Sequence, residues 1–164
     1  MIPKEEILAL PEIPRSEFKL LWYSNYWDGM LSGMLLYKGK KYWYSYFDEV
    51  TDYAKWDEEK EELEDLGWYR KFAIIEMNQE QIDKAEYWHD LFFKYVAVYS
   101  TFDENEELLG KEFPIYKKQG IQCSRGARPP ELHHIYYDAY KKEFPDNMLE
   151  DEFKIGKIIG WFHN

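Results

Sequence analysis

FKLLWYSNYWDGMLSGMLLYKGKKYWYSYF, residues 18–47, is the stretch whose reading decides the fold. Phe18, Leu20, Trp22 and Tyr26 fall on one side of an extended chain and Leu21, Tyr23 and Trp27 on the other, the two-residue period of a β-strand. Asp28-Gly29 then supplies a turn, because both residues tolerate the positive φ of a tight reversal. A second strand is predicted over about Ser32–Tyr37, and Lys38-Gly39-Lys40 reverses the chain again. Lys41–Phe47 reads as a third strand, dense in the aromatic residues that pleated surfaces favour. Three strands joined by short glycine turns form an antiparallel meander.

Working downstream, residues 48–65 carry ten acids against Lys55 and Lys60, a composition that belongs at the surface, with a short helix predicted over Glu58–Leu66. Trp68–Met77 alternates Phe72 and Ile74 against Ala73 and Ile75 and predicts a fourth, interior strand. Asn78 is placed to cap a helix of about twenty residues with Glu80 in its first turn. Its apolar stripe runs Ile82, Ala85, His89, Phe92, Val96 and Tyr99, widened by Trp88 and Tyr95. From Ser100 to Arg128 no period is sustained and irregular connection is expected. Pro129-Pro130 opens a second helix, about Glu131–Phe144, with Leu132, Ile135, Tyr136 and Ala139 near one face. Phe153, Ile155, Ile158, Ile159, Trp161 and Phe162 mark a C-terminal strand. Upstream, prolines 3, 11 and 14 bound a helical turn around Glu5–Leu10. The expected architecture is α+β: an antiparallel sheet of about five strands carrying two main helices, with residues 1–164 forming one domain.

Composition narrows the function classes. Twenty-one basic residues against thirty-two acidic ones leave a net charge of −11, which repels phosphate backbones and anionic lipid heads. Direct nucleic-acid binding is disfavoured, and a basic protein partner fits better. Cys123 is the one cysteine, so no internal disulfide and no thiolate metal cluster can form. The opening Met1-Ile2-Pro3-Lys4-Glu5-Glu6 lacks the basic then apolar pattern of an export signal, and no apolar run is long enough for a membrane span. A cytoplasmic location is the expectation.

Four groupings could carry chemistry. Glu86 and His89 on the first long helix, with His134 and Asp138 on the second, have spacings of three and four residues that put each pair on one face, within reach of a shared metal ion. Against this, His89 sits inside an apolar stripe, where a hydrogen-bonded core histidine is the commoner outcome. Cys123 would need a base such as His133 to act as a nucleophile, and no nucleophile elbow is present. Arg125 and Arg128 precede a helix start and could hold an anion, although isolated arginines more often pair with surface acids. The fourth grouping is the aromatic density of the meander. Trp22, Tyr23, Tyr26, Trp27, Asp28, Tyr42, Trp43 and Tyr44 exceed what one core face can take, so several are expected to form a protein-binding face.

Trp22-Tyr23-Ser24-Asn25-Tyr26-Trp27-Asp28-Gly29, with Leu31-Ser32-Gly33, Tyr37-Lys38-Gly39, Tyr42-Trp43, Glu86-Tyr87-Trp88-His89-Asp90-Leu91-Phe92 and Ile159-Gly160-Trp161-Phe162, resembles a family of small uncharacterised bacterial proteins. These segments total 27 of the chain's 164 residues. The resemblance implies the order of elements and assigns no reaction, ligand or cofactor. From the residues themselves, the expectation is a non-catalytic acidic binding protein of the immunity or anti-defence type, engaging a basic partner and needing no cofactor. The rival expectation is a small enzyme or ligand binder with a pocket near His89, His134 and Arg125, and a homodimer through the aromatic face is the third.

Overall fold

The computed structural model describes residues 2–24, 30–51, 55–57, 62–64, 68–146 and 149–164. In chain order the elements begin with α1 (Lys4–Leu8), β1 (Phe18–Ser24), β2 (Ser32–Tyr37), β3 (Lys40–Thr51), β4 (Lys55–Asp57), β5 (Glu62–Glu64) and β6 (Trp68–Glu76). They continue with α2 (Gln79–Tyr95), β7 (Tyr116–Lys118), β8 (Ile121–Cys123), α3 (Pro130–Glu143) and β9 (Ile158–His163). The fold is α+β as expected, a five-stranded antiparallel sheet in the order β1-β2-β3-β6-β9 with α2 and α3 as its main helices.

Local chemistry explains most boundaries. Lys38 and Gly39 both take positive φ (48° and 74°) between β2 and β3, the twist that a two-residue hairpin needs. The Asn78 side chain accepts from the Gln81 amide while Gln81 reaches back to the Asn78 amide, a reciprocal cap that starts α2. Two readings change. The helix expected at Glu58–Leu66 is replaced, where described, by β5 paired with β4, Trp56 opposite Leu63. A helix over that segment would set Glu58 one turn from Glu62 and Glu61 one turn from Asp65, like-charge pairs that disfavour it. Part of the connection expected to be irregular forms the β7–β8 hairpin, turned by Gln119 and Gly120 at positive φ.

The larger departure lies in β1. A bulge between Leu20 and Trp22 breaks the alternation, so Phe18 and Leu20 join one apolar cluster and Trp22 the opposite one. Placing Phe18, Leu20 and Trp22 on one face is therefore corrected. The sheet buries both faces. On one side Trp22, Met34, Trp43, Ala73 and Ile75 pack beneath Ala85 and Trp88 of α2 and Leu149 and Phe153 of a 3-10 turn (Leu149–Phe153). On the other, Phe18, Leu20, Leu35, Tyr44, Phe72, Ile74 and Phe162 form a second core, closed by Ile13.

Among the described residues no long helix covers that second core; the sheet curls to close it. β1 and β9 are the two outer strands, yet the rings of Phe18 and Phe162 lie 4.6 Å apart. The lead-in spans the remaining gap: Ile13 donates to the Trp161 carbonyl at 2.8 Å, and Trp161 donates to Pro11 at 3.1 Å. Gly160 permits this approach, since a Cβ there would stand 2.7 Å from the Pro11 oxygen. With two interiors, each ring buried contributes about 1.5–3 kcal/mol by leaving water, which draws the meander aromatics inward. Among the described residues no helix is long and apolar enough to cross a membrane.

Candidate functional site

Between the helix-covered face of the sheet and the two long helices lies a pocket of about 260 Å³. β1 brings Trp22, Tyr23 and Ser24 to its wall and β3 brings Trp43. α2 contributes Ala85, Trp88, His89 and Phe92, four positions at helical spacing on its inward side. α3 turns Tyr136 and Tyr140, one helical turn apart, toward them, with the Trp88 and Tyr140 rings 5.4 Å apart and Phe92 and Tyr136 also 5.4 Å apart. The 3-10 turn closes the far side with Leu149, Glu150 and Phe153, and the Tyr140 hydroxyl accepts from the Leu149 amide at 2.9 Å, tying that turn to α3.

Polar groups are few in this wall, and the carboxylate and the imidazole are both held. Glu150, 8% exposed, accepts from the Ser32 hydroxyl at 2.9 Å, and Ser24 lies 2.7 Å from that hydroxyl oxygen. His89 stacks flat on Trp22, ring centroids 4.2 Å apart, and its Nε2 meets the Thr101 hydroxyl at 3.0 Å. Burial pulls the His89 imidazole down to about 4, so it is neutral near pH 7. Burial likewise raises the Tyr23 and Tyr140 hydroxyls. The Trp43 indole N–H is buried and has no hydrogen-bond partner among the described residues.

The groupings read from sequence are dispersed or absorbed. Glu86 forms an ion pair with Lys41, His134 and Asp138 are exposed, and no three metal-ligating side chains among the described residues converge. The shared metal site expected for Glu86, His89, His134 and Asp138 is thus not assembled, because His89 turns inward to Trp22 while the α3 pair faces out. Arg128 donates to the Phe93 carbonyl at 3.0 Å and lies over the Phe93 and Phe113 rings, so it packs where an anion grip was expected. Arg125 is exposed and reaches the Lys111 carbonyl. Cys123 is partly buried on β8, and the His133 ring meets the Arg128 carbonyl at 2.9 Å.

Of the aromatic face, Trp22, Trp43 and Tyr44 are buried, and the Tyr44 hydroxyl donates to the Trp22 carbonyl at 3.1 Å. Tyr23 and Tyr42 are half-buried, and Tyr42 lines a wider, more polar hollow of about 610 Å³ at the β2–β3 turn. Tyr26, Trp27 and Asp28 lie outside the described residues. Sequence reasoning found rings of α2 and α3 as core stripes and expected a pocket near His89, His134 and Arg125; His89 does line the space between the helices, while His134 and Arg125 are not among its described lining residues. For Glu150, within the run Glu150-Asp151-Glu152, no sequence signal set it apart. No protein-family model matches the chain, and comparison with curated proteins and with solved structures likewise returns no match.

Proposed function

We propose that this protein binds a small molecule, and that the pocket between α2, α3 and the sheet is its site. The observation that carries the proposal is the pocket itself: aromatic side chains on several sides, a hydrogen-bonded carboxylate and a stacked histidine. Ligand sites are typically concave, mostly apolar and furnished with a few convergent polar groups. Their usual volume of about 300–1,000 Å³ sets the scale, so a space of about 260 Å³ suits a compact guest.

Binding accounts for these groups better than catalysis. The polar chain Ser24–Ser32–Glu150 contains two hydroxyls and a carboxylate but no imidazole. A carboxylate is too weak a base to activate a serine near neutral pH. His89, the nearby imidazole, is occupied by Thr101 on one ring nitrogen. The alternative, a basic protein held on an acidic aromatic face, draws support from the net charge of −11, but three of its eight residues lie inside the protein.

The test is a titration with choline and with its neutral carbon isostere 3,3-dimethyl-1-butanol, followed through the indole N–H resonances of Trp43 and Trp88. Saturable shifts with at least one probe, abolished in Ala85→Leu, which fills the pocket from α2, are expected. A folded wild-type protein whose indole resonances move with neither probe would refute the pocket as a binding site.

A further inference from the structure

The walls of the pocket specify the charge of what enters it. The described lining residues include one carboxylate, Glu150, and neither a lysine nor an arginine. The remaining surface is largely aromatic: Trp22, Trp43, Trp88, Phe92, Tyr136 and Tyr140. Aromatic rings carry the negative lobe of their quadrupole on their faces, so a space walled mainly by rings and one carboxylate suits a cation better than an anion. Neutral His89 adds no opposing charge near pH 7. A strongly hydrated metal ion would find one carboxylate and no cluster of oxygen or nitrogen ligands among the described residues. An alkylated ammonium ion differs in being weakly hydrated and apolar at its rim, which suits ring walls.

On the reading that this pocket binds a small molecule, we propose that its ligand is a small organic ammonium ion, quaternary or multiply alkylated. The aromatic side chains line the space for the alkylated nitrogen, and Glu150, held by Ser32, supplies the counter-charge.

The deciding measurement is calorimetric titration of the full chain at pH 7.5 with choline and 3,3-dimethyl-1-butanol, two guests of the same shape and hydroxyl that differ in charge. Choline is expected to bind at least about tenfold more tightly, the scale of a desolvated cation–π contact. Glu150→Gln keeps an oxygen to accept from Ser32 and is expected to narrow the ratio of the two affinities by weakening choline more than the isostere, the rings keeping the remainder of the preference. Equal affinity for the two guests in the wild type would overturn the ammonium assignment and leave the pocket reading standing. Binding of neither would bring down both. Because the wild-type comparison needs no substitution, a misfolded variant cannot obscure the outcome.

Discussion

Replacing His89 by Phe should exchange a pH-dependent stability for a flat one. In the folded chain burial pulls this imidazole to about 4, against 6.5 when free. Between those values the unfolded chain holds a proton that the folded chain does not, so stability is complete above the upper value and falls as pH drops through the window. One proton over that interval amounts to about 2 kcal/mol lost between pH 7 and pH 5, and roughly 3 kcal/mol below pH 4. Phe keeps a ring against Trp22 but forfeits the contact with Thr101, a cost of about 1 kcal/mol at every pH. Stability curves of the two proteins should therefore cross. The variant is weaker by about 1 kcal/mol at pH 7 and stronger by a similar amount at pH 5. Urea unfolding at half-unit steps from pH 4 to pH 8 measures both curves, and other titrating groups cancel in their difference. Parallel curves would show that His89 titrates alike in folded and unfolded chains, and the description of a buried, neutral imidazole would be wrong.

Closure of the curled sheet by the lead-in can be probed at Gly160. Gly160→Ala puts a methyl group 2.7 Å from the Pro11 oxygen and 2.9 Å from the Ile13 side chain, so a loss of about 1–3 kcal/mol is expected, as for overpacked sites. Hydrogen exchange should accelerate at the Ile13 and Trp161 amides, while unchanged protection there would show that the contact is dispensable. At the start of α2, Asn78→Ala removes the side-chain half of the reciprocal cap, the acceptor for the Gln81 amide, and should cost about 1 kcal/mol, read from the urea midpoint at constant slope.

The pocket shows why a list of side chains underdetermines a site. Trp22, Trp43 and His89 were each visible as unusual residues, and the aromatic excess correctly signalled that one interior could not hold every ring. The inference that the surplus faces a partner fails for Trp22, Trp43 and Tyr44, because the sheet offers a second interior. A one-residue bulge sends Trp22 to the helix side, where His89 stacks on it. Glu150 becomes a pocket residue through Ser32, a partner far away along the chain.

By itself the sequence determined what short-range physics controls: the glycine turn between β2 and β3, the capped start of α2, the proline-led start of α3, and the strand periods that make the protein α+β. These depend on neighbours within a few residues, whose preferences are written locally. Only the tertiary structure decided the curl that lets β1 and β9 meet, the division of the rings between two cores, and the gap left between α2, α3 and the sheet. Each arises from packing between distant segments, where a single inserted residue redirects a side chain and a void exists only as the difference between shapes already in place.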